Sequence, residues 1–162
     1  MRAVVQRAHD GSVRVAGEVV GSFAGPGLVV LIGVTHTDTA DEARKIAKKI
    51  YDLRIFEPRH ATSEIADDRR ELSASELVLP VLVISQFTLY GDTRKGRRPT
   101  WTAAAPGPFA EPLVTEVVTS LEELGAAVST GRFGADMQVQ FTNDGPMTLI
   151  LEQNAPENAH AD

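Results

Sequence analysis

The sequence predicts an α+β domain: a curved, partly closed, mostly antiparallel β-sheet or barrel with two helices on its outside. Three observations carry this. Residues 2–23 are rich in β-branched residues and alternate apolar with polar positions at period two, as half-buried strands do. Two later stretches, 40–53 and 109–124, repeat apolar residues at helical spacing. The chain also opens on a hairpin rather than on strand–helix–strand units, which argues against a regular parallel sheet.

Each element follows from its residues. Arg2–Ala8 reads as a first strand. Ser12–Val15 and Val19–Phe23 form a hairpin about Ala16-Gly17-Glu18. Gly25-Pro26-Gly27 is a turn signal, and 27–34 is an apolar, fully buried strand. Thr39 and Glu42 make a capping box ahead of Ala43, Ile46, Ala47, Ile50 and Leu53, which predicts a helix over 40–53. Arg44, Lys45, Lys48 and Lys49 lie on its outer face, either solvated or turned toward phosphate. Residues 54–76 are irregular and charged, with Ile55-Phe56 as a short strand end and 71–76 as a loop. The run 78–88 is a buried strand that ends in polar residues. Phe109, Leu113, Val117, Leu121 and Leu124 mark a second helix, opened near Pro108 and stopped by Gly125. Short strands follow over 126–130 and 137–142. Asn143-Asp144-Gly145-Pro146 is a turn signal, and 147–151 is the last strand.

At 162 residues, residues 1–152 make one domain with room for a core, and the polar stretch 153–162 reads as a frayed tail. There are no cysteines, which excludes disulfides, thiolate metal sites and a Cys nucleophile. The longest uncharged apolar run, 27–34, is far short of the ~20 residues of a membrane helix. Met1–Arg7 lacks a signal peptide's apolar stretch, so a cytoplasmic protein is expected. A net charge of −6 argues against nonspecific nucleic-acid binding, so any RNA contact must come from a local patch.

The chemistry concentrates after the buried strand. Ser85-Gln86-Phe87-Thr88-Leu89 places hydroxyls and an amide at its end, where polar groups are costly unless satisfied or used. Arg94, Lys95, Arg97 and Arg98 then put four of the sixteen basic residues into one five-residue window, able to hold a phosphodiester backbone. Tyr90 and Trp101 flank the window and are able to stack a base or fill an edge. On composition alone the window reads equally as a solvated loop. None of His9, His36, His60 and His160 sits in a triad or nucleophile-elbow motif, so Ser-His-acid chemistry is disfavoured. His36, Asp38 and Asp41 precede a helix and read as caps rather than metal ligands. No Walker loop or Gly-x-Gly-x-x-Gly fingerprint occurs, so no nucleotide cofactor is indicated.

Four motifs carry a resemblance: Ser85–Leu89, the Gly-Asp-Thr-Arg-Lys-Gly-Arg-Arg-Pro run at 91–99, Gly131-Arg132-Phe133-Gly134-Ala135-Asp136-Met137, and Asn143-Asp144-Gly145-Pro146-Met147-Thr148. In order and spacing they resemble the D-aminoacyl-tRNA deacylase family from Met1 to about Leu151, and Arg7 fits the same pattern. Two departures stand out. Residues 57–77 lack the family's usual Gly-Lys-Met-Asn loop, and Met147 stands where Val is usual.

The resemblance implies a homodimeric hydrolase that cleaves the ester of D-aminoacyl-tRNA without metal or cofactor and binds no membrane; its partners are aminoacyl-tRNA and a second copy of itself. It implies that Gly145-Pro146, with a cis peptide bond, enters the other subunit's pocket and rejects L-amino acids sterically. Glycyl-tRNA, with no side chain to exclude, is an expected substrate. The resemblance also implies that the ribose 2′-hydroxyl assists catalysis. The backbone amides of Phe87 and Thr88 are expected as oxyanion donors. Ser85 and Gln86 would orient the terminal adenosine, Phe133 and Met137 would line its pocket, and Arg7 and Asn143 would support the Gly-Pro bend. A noncatalytic module for the tRNA 3′ end is the competing expectation, favoured by the lack of an activated nucleophile.

Overall fold

The computed structural model describes residues 1–64 and 71–156. Two long strands, β1 (Arg2–Val15) and β2 (Glu18–Gly33), pair antiparallel about a turn at Ala16-Gly17. Helix α1 (Ala40–Asp52) follows, then β3 (Arg54–Phe56) and a 3₁₀ turn (Pro58–His60). After β4 (Leu72–Ser73), α2 (Ala74–Leu77) leads into β5 (Val81–Ser85) and a second 3₁₀ turn (Phe87–Tyr90). Helix α3 (Gly107–Glu123), β6 (Val128–Thr130) and β7 (Gln138–Glu152) complete the chain.

The main sheet runs β6-β5-β2-β1-β7, and β3 pairs with β4 apart from it. The α+β expectation holds, and two of its details do not. The sheet is open rather than partly closed, with β6 and β7 at its two edges. It is also mixed: β1 pairs antiparallel with β2 and β7, whereas β2–β5 and β5–β6 are parallel. The parallel pairs arise because β2 and β5 are joined through α1, and β5 and β6 through α3, as parallel crossovers require. A short third helix joins the two expected ones.

Alternation along the central strands sorts side chains between two cores. Leu28, Val30, Ile32, Val81 and Val83 face α1 and α3 and pack with Ile46, Ile50, Val117 and Leu121. Val29, Leu82 and Ile84 point to the opposite face, where Val13, Phe23 and Phe141 cover them. Thr39 caps α1 as expected: the Asp41 amide donates to its hydroxyl and the Glu42 carboxylate accepts from the Thr39 amide. The basic outer face of α1 is met by carboxylates, with Arg44 on Glu116, Lys45 on Asp41 and Lys48 on Asp52.

Several boundaries move. Gly25-Pro26-Gly27 lies inside β2 rather than forming a turn, and Asn143–Pro146 lies inside β7. The run at 78–88 is a strand only over Val81–Ser85. Residues 71–76 are not a loop, because Ser73 and Glu76 form a capping box that starts α2. Gln153 is not frayed: its amide donates to the Met1 carbonyl and its own carbonyl accepts from the Met1 ammonium. That ammonium also meets the buried Asp38 carboxylate. Residues 157–162 of the expected tail and 65–70 of the irregular 54–76 stretch lie outside the described residues. No helix among the described residues is long and apolar enough to cross a membrane.

Candidate active site

The end of β5, the 3₁₀ turn behind it and the start of α3 enclose a cavity of about 660 Å³. Its floor is apolar, from Ile32, Val34, Ala105, Ala110 and Val114. Ser85, Gln86, Phe87, Phe133 and Met137 line it, joined by Trp101, Ala104 and the Gly134-Ala135-Asp136 segment. A smaller recess of about 270 Å³ shares Ser85, Val114 and Phe133 with it. An apolar cavity of this size with a few convergent polar groups is the common form of a small-ligand site.

Local sequence explains the polar corner. The Gln86 amide donates to the Ile32 carbonyl at 2.7 Å, which continues the parallel ladder for one residue past β5. The chain then tightens into the 3₁₀ turn, whose first N–H groups, Phe87 and Thr88, have no acceptor within the turn. Main-chain donors at the mouth of a cavity suit a developing oxyanion. Thr88 itself does not line the cavity. Its hydroxyl accepts from Gln86 Nε2 at 2.6 Å and so fixes the Gln86 side chain.

The rim is pinned to the segment just after β2. Thr35 Oγ1 donates to the Ala103 carbonyl at 2.6 Å, His36 Nε2 to that of Thr102 at 2.9 Å, and the Ala105 amide to that of Val34 at 2.9 Å. Trp101 stands edge-on to Phe87, with ring centroids 5.3 Å apart, and both rings are exposed at the cavity mouth. Burial, with the Asp38 charge adding to it, pushes the Tyr90 hydroxyl pKa up, and Arg2 lies 4.7 Å over its ring. Tyr90 is thus an edge filler rather than a stacking platform.

The basic window forms a loop closed by the paired Asp92 and Thr100 amides and carbonyls. Its four cations are not equivalent. Arg94 is turned onto Asp92, with Nε 2.9 Å and Nη2 2.6 Å from the two carboxylate oxygens, which holds the Asp92 pKa down to about 2. Lys95, Arg97 and Arg98 are exposed.

Arg7, Asn143, Gly145 and Pro146 are not brought to this cavity. They lie two and three strands away from β5, where β7 bulges against β1: Gln6 pairs with Thr148 and Ala8 with Asn143, so four residues of β7 stand opposite Arg7 alone. The Gly145–Pro146 peptide bond is cis, and both residues are exposed. Arg7 spans the bulge from beneath. Its Nε donates to the Asp144 carbonyl at 3.0 Å, Nη2 to that of Gly145 at 3.2 Å and Nη1 to that of Ile55 at 2.5 Å. Asn143 Nδ2 borders Gly145, 3.5 Å from where a Cβ there would stand.

Two residues that sequence reasoning missed complete this support: His60, whose Nε2 lies 2.7 Å from Asp144 Oδ2, and Asp144 itself. No local spacing signals the pair, because 84 residues separate its members.

Comparison with known proteins identifies the family. The family described as D-Tyr-tRNA(Tyr) deacylase matches residues 4–152. Proteins named D-aminoacyl-tRNA deacylase from Streptomyces coelicolor and Thermobifida fusca are each 57% identical over 152 residues, covering 94% of this chain and 99% of theirs. A solved structure titled c-Myc DNA Unwinding Element Binding Protein is 34% identical with a TM-score of 0.83, over 96% of this chain and 100% of that one. A probable eukaryotic D-amino acid tRNA deacylase shares the fold at 18% identity and a TM-score of 0.77, over 93% and 97% of the two chains. With the match running through both the cavity strand and the bulged edge strand, this chain belongs to the D-Tyr-tRNA(Tyr) deacylase family.

Proposed function

We propose that this protein hydrolyses the ester joining a D-amino acid to the 3′-terminal ribose of tRNA. The observation that carries the reading is the cavity at the end of β5, lined by Ser85, Gln86, Phe87, Phe133 and Met137, with the Phe87 and Thr88 amides in the first turn beside it, in a chain of this family. Water attacks the ester carbonyl carbon, the bond to the ribose 3′ oxygen breaks, and that oxygen takes the proton. The neighbouring 2′-hydroxyl polarises the attacking water. The two amides stabilise the oxyanion, a role worth ~3–4 kcal/mol in other acyl-transfer enzymes. Ser85 and Gln86 orient the adenosine, Phe133 and Met137 hold its base, and Lys95, Arg97 and Arg98 meet phosphates. No step calls for a metal.

Chirality is read by a second copy of the chain. The edge strand β7 is long, carries the strongly exposed Ile150, and ends the sheet, as a surface awaiting a partner strand does. In the homodimer the Gly145-Pro146 bend of one subunit closes the pocket of the other. A main-chain wall close to the substrate Cα leaves room for hydrogen but not for an L side chain, and glycyl-tRNA passes. The enzyme works in the cytoplasm, where aminoacyl-tRNA is made.

The test is deacylation of D-tyrosyl-, L-tyrosyl- and glycyl-tRNA by the purified protein, with sedimentation to count subunits. The D and glycyl esters are expected to be cleaved and the L ester spared. A folded dimer that binds tRNA and leaves D-tyrosyl-tRNA intact would be a binding module instead.

A further inference from the structure

Three segments meet beneath the Gly145-Pro146 bend. β1 supplies Arg7, β7 supplies Asp144, and the stretch from β3 to the first 3₁₀ turn supplies the Ile55 carbonyl, Glu57, Arg59 and His60. This last stretch belongs to the part of the sequence that departs from the usual family pattern.

The Glu57 amide donates to His60 Nδ1 at 2.8 Å, nearer than the Glu57 carbonyl at 3.2 Å, and a ring that accepts at Nδ1 carries a proton on Nε2. Nε2 then donates to Asp144 Oδ2 at 2.7 Å. The ring is buried and braced edge-on by Phe56, with centroids 5.4 Å apart. A buried polar ring serving packing alone is costly, and an apolar side chain would fill the space better.

The same Asp144 Oδ2 lies only 3.3 Å from Arg7 Nε. A guanidinium prefers a carboxylate, gripped by two parallel bonds, to a neutral carbonyl. Left free, the Asp144 carboxylate would compete with the main-chain carbonyls of Asp144 and Gly145 for the Arg7 fork. The other charges facing the cluster do not hold that oxygen: Glu57 is 3.8 Å from Arg7, and Arg59 reaches the opposite Asp144 oxygen at 3.7 Å.

We propose that His60 is a positioning residue for chirality: by holding Asp144 it reserves Arg7 for the Asp144 and Gly145 carbonyls, and so sets where the Gly145-Pro146 bend stands. The inference rests on the bend being the selector.

The experiment compares wild type, His60→Ala, His60→Gln and the double variant His60→Ala/Asp144→Asn. One arm records the NMR signals of the Gly145 amide and the Arg7 Nε–H in the free protein. The other measures single-turnover deacylation of D- and L-tyrosyl-tRNA. His60→Ala is expected to shift both signals and cut the D-over-L preference at least tenfold. His60→Gln, which keeps a donor near Nε2, recovers part of it. The double variant, lacking the competing charge, recovers more than half of the lost preference on a logarithmic scale. A role in packing alone predicts the reverse, with the double variant no better than His60→Ala, and that result would overturn the proposal. So would unchanged signals and preference in His60→Ala. Should His60→Ala fail to fold, His60→Gln and its own Asp144→Asn double carry the same comparison. A wild type inert toward D-tyrosyl-tRNA would overturn the functional reading, and the NMR arm would still decide the anchoring.

Discussion

Arg7 Nη2 donates to the Gly145 carbonyl across the β1–β7 bulge at 3.2 Å, from a side chain that is 3% exposed. The same guanidinium serves Asp144 and Ile55, so one cation satisfies three main-chain oxygens. Arg7→Ala strands those three acceptors and removes a cation 3.3 Å from the Asp144 carboxylate, which His60 still holds. Removing one member of a buried charged network costs about 3–5 kcal/mol. Arg7→Lys, a point charge without the fork, is expected to restore only part of this. Urea unfolding of the two variants checks the order.

Asp144 also sets an acid limit. Burial works against its carboxylate, but the His60 hydrogen bond and the Arg7 and Arg59 charges outweigh it, so its pKa lies below the usual carboxylate value. A depressed folded pKa contributes stability above the unfolded value of about 4 that is lost as pH falls through the folded value. Between pH 6 and pH 3, wild type is expected to lose more melting temperature than Asp144→Asn. Equal losses would remove Asp144 as the source.

The basic loop is expected to act unevenly on tRNA. All four cations are exposed, but Arg94 is paired with Asp92. Arg97→Ala or Arg98→Ala should weaken binding and lower the salt slope by about one unit per phosphate contact. Arg94→Ala should change the slope least. Filter binding across a salt series reads this directly.

Thr88 offers a test between main-chain and side-chain catalysis. Thr88→Ala keeps the backbone amide and loses one hydrogen bond to Gln86. At about 1 kcal/mol for such a bond, the expected drop in kcat/KM is roughly fivefold. A thousandfold loss would instead make the hydroxyl a nucleophile.

Two glycines separate packing from site. A Cβ at Gly21 would stand 2.4 Å from the Thr130 carbonyl oxygen, which is backbone and cannot swing away. Gly21→Ala is therefore expected to destabilise by about 1–3 kcal/mol. A Cβ at Gly131 would meet the Met137 sulfur at 2.3 Å, at the end of a flexible chain that lines the cavity. Gly131→Ala should hold its melting temperature better and raise KM severalfold by pushing Met137 into the pocket.

Much of this was legible from residue order. Period-two alternation marked β1 and β2, helical spacing marked α1 and α3, and the polar end of β5 marked the cavity. Turn residues misled where bulges absorb them. At 25–27 the chain does not reverse, because Asp10 (φ 55°) and Gly25 (φ 73°) form an irregularity in which the Gly25 amide donates to Asp10 Oδ1 at 2.7 Å. At 143–146 the turn chemistry is real, but Arg7 gathers the slack into a bulge and β7 runs on. The short α2 had its signal in Ser73 and Glu76, hidden by the charge around it.

By itself the sequence determined the α+β class and the family, and it singled out Ser85, Gln86, Phe87, Phe133 and Met137, because these rest on local periodicity and on motifs a few residues long. Only the tertiary structure decided that the sheet is open and mixed, and that Arg7, His60 and Asp144 share one network. Hydrogen bonds depend on distance in space, and residues 7, 60 and 144 carry no mark in sequence that they will meet.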